Sequence, residues 1–536
     1  VTQPSKVFTS KFDEILPHYG FSSAGWNEAN DAEVSKAEIH VVVTLTDLRS
    51  TVTGLIEDGC RLASIFAEDR TSVGLGFLIC YVFDHRQDCR FLLLRTVVSE
   101  MSKAFPSVSA RIPAVNWQER EIQDMFGLVA KGHPNPRRVA LHDNWPDIHP
   151  LRKDFPIDTV LPPFHGERHV YRPTLGEGVF QIPVGPVHAG IIEPGHFNFA
   201  VAGEPILYLQ LRMFYTHKGT EKRFEHLTVR NAVYLAESIS GDSGFSHGTA
   251  FCQAVERAAG AEVPIRAKRM RTILLELERL YNHVGDIGAI VNDVGFAVAN
   301  AHAARLREMI LNINEELAGS RLLRGVVCPG GMRHDWTDRQ IARCRESLHH
   351  FDAEFTDLMA LIDSSDSTRD RLEHTGTLHP GKAVDLGIVG VSGRASGVDR
   401  DLRRDHPYAA YDEVSFDVPV YQEGDVFSRM LVRVDEIRQS MRILKDVLDR
   451  LAPGPCRTAL SQLPANCVAL GAVEGWRGEI LHWIRTGPDG RLDRCKIKDP
   501  SLNNWPALVE AVQGNIVPDF PVINKSFNLS YSGTDR

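Results

Sequence analysis

Between residues 131 and 186 the chain is crowded with proline, glycine and histidine, in runs such as GHPNPRR, NWPDIHPLRKDFP and VLPPFHGERHVYRP. Proline fixes φ and removes a backbone donor, and the residue before it is pushed out of the helical region. Neither a helix nor an inner sheet strand can run through such a stretch, so the chain must fold on either side of it. The stretch itself predicts an extended connector that wraps and docks, and a connector of that length normally has an interface or functional reason. Before it, residues 38–45 alternate and are β-branched like a strand, 74–83 and 90–98 read as a hairpin pair, and 11–19, 52–66 and 116–126 read as helices. After it, 190–199 and 205–214 read as short strands, and helical periodicity runs through 227–238, 248–259, 265–298, 301–318, 338–364 and 425–451. A β-rich interlude is expected at 414–419 and a hairpin or meander over 469–498. The expected fold class is α+β: a small α+β unit over 1–130, the extended connector over 131–181, and a large, mainly α-helical unit with small antiparallel sheets over 182–536.

The 536 residues carry a net charge of −9, and 43% of them are hydrophobic. That is enough apolar material for a substantial core and excludes disorder as a whole. The acidic balance is wrong for a general nucleic-acid binder. No run approaches roughly 18 consecutive apolar residues, so no transmembrane helix is expected and any membrane role must be peripheral or through partners. The opening VTQPSKVFTSKFDEIL lacks a basic segment followed by an apolar one, so no secretory signal is expected. Nine cysteines are too sparse for a disulfide scaffold, and none stands in a CxxC pair. Each reads as a small buried hydrophobe in a reduced, cytosolic setting. There is no phosphate-binding GxxxxGK[ST] and no strand–GxGxxG–helix.

Three groups of residues could carry chemistry. GPVHAGIIEPGHF supplies His188, Glu193 and His196. Imidazoles beside a carboxylate exchange protons with a carbonyl or phenolate oxygen near neutral pH, which suits proton-coupled redox chemistry; equally, loop histidines can simply bond the backbone. HKGTEK places His217 and Lys218 just before a helix, where they could meet an anionic partner or lie solvated. ELERLYNHVGDIGAIVNDVG puts Glu276, Glu278, His283, Asp286 and Asp293 on one long helix. Glu276 and His283 share a face, as do Asp286 and Asp293. Buried there, carboxylates are costly unless paired, so they are functional candidates if internal and ordinary if solvated.

Longer stretches resemble a known family. WQEREIQDMFGLVAKGHPNPRRVALHDNWPDIHPLRKDFP, at 117–156, resembles the C-terminal signature of the smaller peripheral-arm subunit of respiratory complex I, NuoC type. GPVHAGIIEPGHF, HKGTEK, ELERLYNHV, GVSGRASGVDRDLRRDHPYAAYDEVSFDVPV, GDVFSRMLVRVDEIRQSMRIL and EGWRGEI…DRCKIKDPS resemble the larger partner, NuoD type, and its relatives, the large subunits of membrane-bound [NiFe] hydrogenases. The form of GPVHAGIIEPGHF and the fusion of both subunits resemble the formate hydrogenlyase, HycE-like branch. The resemblance covers roughly residues 40–536.

It implies a subunit of a membrane-associated, complex-I-like or energy-converting hydrogenase-related oxidoreductase, peripheral on the cytoplasmic side. The implied partners are a NuoB-like iron–sulfur subunit, a NuoI-like ferredoxin subunit, and antiporter-like and NuoH-like membrane subunits. In that family two CxxC pairs hold nickel and iron by soft thiolates, which hydroxyls cannot replace. The first pair falls on Ser240 and Ser243 in AESISGDSGFSHG, the second on Ser530 and Gly533 in NLSYSGTDR. The resemblance therefore implies no bound metal and no hydrogen chemistry. In complex I the same place is a quinone head-group site whose histidine matches His196 and whose paired aspartate matches Asp293, while its tyrosine falls on Gly241. His188, Glu193, His196 and Asp293 are the implied proton-handling or head-group residues, with a quinone as candidate acceptor. His217, Lys218 and Arg271, the last in RAKRMR, are implied to face the partner's [4Fe–4S] cluster, whose potential positive charge would raise. Two rivals stand beside this reading: a formate hydrogenlyase-type [NiFe] large subunit, and a non-catalytic coupling scaffold.

Overall fold

A computed structural model of the chain describes residues 11–21, 37–167, 169–190 and 192–536. The N-terminal unit is built on a four-stranded sheet of β1 (Glu38–Val42), β2 (Arg61–Arg70), β3 (Gly76–His85) and β4 (Asp88–Val98), in the order β1-β4-β3-β2. β1 runs parallel to β4 and the other pairs are antiparallel. The strands are apolar almost throughout because both faces are covered. Leu92 and Leu94 of β4, with Ile79, Tyr81 and Phe83 of β3, face a core completed by α1 (Leu48–Glu57) and α2 (Asn116–Phe126). Phe91, Leu93, Cys80 and Val82 point the other way, into the core of the large unit. The alternation of a pleated strand lets one sheet serve two cores. Ion pairs rim this junction: Glu68 holds Arg485 at 2.6 Å, and Asp84 takes Arg400 at 2.7 Å.

The large unit begins with an antiparallel sheet of β5 (Val179–Val184), β6 (His196–Ala202) and β7 (Ile206–Arg212). The longer helices that follow, with shorter ones between them, are α3 (Val229–Glu237), α4 (Gly244–Ala258), α5 (Ile265–Asp293), α6 (Ala297–Ala318), α7 (Asp338–Asp363) and α8 (Val426–Asp449). A meander of β8 (Val468–Gly475), β9 (Gly478–Thr486) and β10 (Leu492–Lys498) packs on α4, and α9 (Pro500–Ala511) and α10 (Phe520–Phe527) close the chain. The α+β class expected from the sequence holds. No described helix is long and apolar enough to cross a membrane.

Four local expectations are revised. Residues 52–66 are not one helix: Asp58 and Gly59, the latter at φ +85°, end α1, and the apolar run LASIFA becomes β2. The helix expected over 265–298 stops at Asp293, where Gly295 at φ +94° turns the chain into α6. Of 190–199 only the part from His196 is strand, because Pro194 and Gly195 delay the ladder. The interlude at 414–419 forms no strand. β5, which went unexpected beside the proline-rich stretch, is an edge strand, where a proline such as Pro183 is tolerated.

Residues 132–178 contain no helix or strand among the described residues. Side chains tie this connector to both units. Arg152 Nε donates to the Phe126 carbonyl at 2.7 Å, Lys153 Nζ to Glu225 at 2.9 Å, and Asp143 receives the Arg212 fork at 2.6 and 3.0 Å.

The interior of the large unit is held by charge as well as by apolar packing. Glu436 on α8 receives Arg394 and Arg279, each at 2.9 Å, and the His283 ring at 2.8 Å. Arg394 continues to Glu474 of β8 at 2.9 Å. Glu276 on α5 receives Arg403 at 3.1 Å, and Arg403 also holds Asp401 at 2.6 Å. Asp286 receives Arg433 at 2.9 Å and the Asn528 amide at 2.6 Å. Burial alone would raise the Glu436 carboxyl; Arg394 and Arg279 reverse this and hold it well below the usual range. Removing one member leaves the others charged in a dry interior, which costs about 3–5 kcal/mol. Glu436→Gln is therefore expected to lower the urea-unfolding stability by about that amount. Arg321→Ala, which breaks an exposed pair with Glu308, should leave the midpoint nearly unchanged.

Candidate functional site

The four positions that carry metal ligands in the hydrogenase resemblance do come together. Ser240 and Ser243 lie in the turn before α4, and Ser530 and Gly533 in the last turn of the chain. The Ser240 and Ser530 hydroxyls hydrogen-bond each other at 2.9 Å. Ser530 Oγ also accepts the Gly533 amide at 2.9 Å. Ser240 donates to Asp242 at 2.9 Å, and Asp242 takes the fork of Arg477 at 2.6 and 2.5 Å. Arg477 reaches the Ser240 and Ser243 hydroxyls at 3.4 and 3.3 Å and stacks its guanidinium 4.0 Å from the Trp476 ring centroid. A side chain at Gly533 would press on the Asp499 carboxylate, since a Cβ there falls 2.7 Å from its carbon.

Beneath this turn lies a buried relay. Asp499 accepts from His247 Nε2 at 3.1 Å, and His247 Nδ1 meets His482 Nε2 at 3.0 Å. With Asp499 as the acceptor at one end, the donor order that satisfies the chain runs from His482 to His247 to Asp499. Burial, then His247, holds the His482 ring well below the usual imidazole range, and so neutral. Burial opposes the Asp499 charge, but His247 brings its carboxyl down to about 2. Glu278 of α5 caps α4, accepting the Phe245 and Ser246 amides at 2.8 and 3.2 Å as well as the Ser246 hydroxyl. Its burial outweighs those donors and pushes its carboxyl up to about 7.

Of the residues singled out from sequence, three reach this turn or its rim. Glu193 accepts the Ser532 amide at 2.9 Å. Lys218 donates to the Ile239 carbonyl at 2.7 Å, and burial lowers its ammonium below the usual range, with Glu193, Asp535 and Asp499 opposing. His188 closes the loop that carries Glu193, donating to the Gly195 carbonyl at 2.8 Å. His217 is exposed; its backbone amide is held by Asp535 at 2.7 Å. His196 begins β6, and its Nδ1 meets the Tyr171 hydroxyl at 2.7 Å. Burial, then Arg212 and His188, lowers the His196 ring.

Two expected placements are not formed. Among the described residues no hydrogen bond joins His196 to Asp293, which is exposed at the end of α5 with Lys525 as its charged neighbour. Arg271 is 3% exposed and grips Glu256 at 2.9 Å and the Cys328 and Gly331 carbonyls at 3.0 and 3.1 Å, so it serves the interior and not a docking face. The two lie about 33 Å apart along one helix and cannot share a site. Sequence reasoning passed over Tyr171, Asp242, His247, Arg477 and Asp499. Arg477 and Asp499 stand inside EGWRGEI and DRCKIKDPS, so a signal was present; Tyr171 sits in the connector, where nothing marked it.

The 49 Kd subunit family of respiratory-chain NADH dehydrogenase matches residues 293–466, and the 30 Kd subunit family matches 41–160. Formate hydrogenlyase subunit 5 of Escherichia coli (strain K12) is 34% identical over 94% of this chain and 90% of its own length. The fused C/D polypeptide of NADH-quinone oxidoreductase from Bacteroides thetaiotaomicron is 29% identical over 83% of this chain and 88% of its own. The chain belongs to this family of fused 30 Kd–49 Kd subunits. Among solved structures, a chain of the membrane-bound sulfane sulfur reductase, an archaeal respiratory membrane complex, superposes with a TM-score of 0.63 at 26% identity, over 67% of this chain and 99% of that one. Family membership makes the chain an oxidoreductase subunit of a membrane-associated, complex-I-like assembly.

A thiolate-held nickel–iron centre does not fit the residues of this family member. The positions supply three hydroxyls and no side chain, and two of the hydroxyls already satisfy each other. Such a centre needs soft, anionic donors. Among the described residues no group of three histidine, cysteine or carboxylate side chains is placed to hold a metal.

The Glu278 shift has a consequence for stability. Folded, the carboxyl keeps its proton up to about pH 7; unfolded, it releases it near 4.5. The folded state therefore binds more protons between these values, and stability falls as pH rises through the window. Its share of the fall is on the order of 3 kcal/mol. Urea unfolding at pH 5 and pH 8 should give a smaller difference in Glu278→Gln than in the natural chain.

Proposed function

We propose that the Ser240–Ser530 turn and the residues around it handle protons in a complex-I-like oxidoreductase, with no hydrogen chemistry at a metal. The observation that carries this reading is the hydroxyl pair at 2.9 Å, locked by Arg477 and Asp242, where thiolates would stand. Its surroundings support proton exchange: a buried histidine pair ending on Asp499, a carboxyl near pH 7 in Glu278, and a lysine pushed down by burial. Groups that titrate near the working pH transfer protons most effectively. Glu193 and the loop that carries it join the turn to β6, where His196 and Tyr171 offer an imidazole–phenol pair to an acceptor such as a quinone.

In this reading the chain docks on the cytoplasmic side against an iron–sulfur subunit of the NuoB-like kind and against membrane subunits. The [4Fe–4S] cluster belongs to the partner, and Lys218 and His217 lie toward it. Arg271 is left out, because its charge is spent on Glu256.

The test uses the intact complex. Nickel should be far below one per chain, and His196→Ala and Lys218→Met should each lower acceptor-linked turnover by roughly 100-fold. Nickel near one per chain overturns the reading. Unchanged turnover in both variants overturns it in favour of a coupling scaffold.

A further inference from the structure

A cavity of about 490 Å³ opens where α2, the connector, β7 and α9 meet. That volume lies in the range of small-molecule sites, roughly 300–1,000 Å³. Arg120, Arg137 and Arg138 give its lining a cationic part, and Trp117, Leu211, Met213 and Val509 an apolar part. Arg212 also lines it, but its fork is spent on Asp143, and Glu510 at the rim lies 3.7 Å from Lys382.

Arg120 is 8% exposed. Its Nε donates to the Arg137 carbonyl at 2.6 Å and its Nη2 to the Arg138 carbonyl at 2.8 Å. The carboxylate one turn on, Asp124, is occupied by the amides of Val139, Ala140 and Leu141 at 2.9, 2.8 and 3.2 Å. Arg137 is anchored on Asn135 Oδ1 at 2.9 Å and Arg138 on the Trp145 carbonyl at 2.5 Å. None of the three forms an ion pair among the described residues. Neutral acceptors thus take the hydrogen bonds of three guanidinium groups beside one cavity, and Asp124 is the nearby negative charge for Arg120 and Arg138. Burial, with Arg137 adding to it and Asp124 opposing, lowers the Arg120 guanidinium to about 10. The guanidinium N–H groups not donated to these acceptors can give charge-assisted bonds to a phosphate, the anion guanidinium groups recognise best.

We propose that this cavity binds a small phosphate-bearing molecule with an apolar or aromatic body. The phosphate would lie on the Arg120, Arg137 and Arg138 wall and the body against Trp117 and Leu211. The inference rests on no part of the reading of the Ser240–Ser530 turn. Two sources share this chemistry, a nucleotide and a phospholipid headgroup with its chains.

Isothermal titration calorimetry of the full chain tests it with four probes: ADP, dihexanoyl phosphatidic acid, inorganic pyrophosphate and an oligoglutamate peptide. ADP or the phosphatidate should bind, whichever is the source, and more tightly than pyrophosphate, which lacks the body. Arg137→Gln/Arg138→Gln, two exposed positions, should weaken binding by roughly tenfold or more, the loss expected for charge-assisted hydrogen bonds. Arg120→Gln should do the same provided its melting temperature matches that of the natural chain, while Lys445→Gln, outside the cavity, should change nothing. The proposal is overturned if neither ADP nor the phosphatidate binds at about 1 mM, if the double variant binds as tightly as the natural chain, or if only the peptide binds, which would mark the wall as a seat for an acidic protein segment.

Discussion

Glu436 lies with no exposed surface at the meeting point of two guanidinium groups and the His283 ring, and the large unit is arranged around that fact. A lone carboxylate cannot be kept charged in a dry interior, and neither can a lone guanidinium. Arg394 and Arg279 cancel Glu436, Arg394 goes on to Glu474, and Arg403 bridges Glu276 and Asp401. This fixes α5 and α8 against β8 and against the short segments 390–395 and 401–405 in one arrangement. Apolar packing alone tolerates small slides between helices; a shared buried ion network does not, since each slide would strand a charge.

That rigidity holds the Ser240–Ser530 turn in place. Asp286 and Arg433 extend the network toward the end of the chain through Asn528, two residues before Ser530. The backbone geometry thus brings Ser240, Ser243, Ser530 and Gly533 together. The freed positions are filled by hydrogen bonds among hydroxyls, Asp242 and Arg477. Their convergence comes from the fold and not from a ligand.

Much of the fold was legible from local pattern. Helix 116–126 and the helices starting at 265 and 338 are long, strongly periodic segments, and they fall where periodicity puts them. Errors came where two rules compete over a few residues. At 52–66 a helical pattern and a strand share one apolar run, and only Gly59 separates them. In the site, the serine substitutions were readable because they occupy motif positions, whereas Tyr171 was not, since its contact with His196 spans 25 residues of connector with no periodicity. Arg271 was misjudged for a related reason: a basic run looks solvated until the carboxylate that absorbs it, Glu256, is seen across the helix pair.

The sequence by itself determined the family and the α+β class, both of which depend on which residues stand in which order. Tertiary structure decided which charges are spent and which are free. In ELERLYNHVGDIGAIVNDVG, Glu276 and Asp286 became structural partners of arginines more than 100 residues away, Glu278 became the cap of α4, and Asp293 was left exposed. Arg120, inconspicuous in its helix, emerged as a buried cation whose hydrogen bonds go to backbone carbonyls. Burial and pairing are properties of what surrounds a side chain, and its surroundings come from parts of the chain that sequence proximity does not reveal.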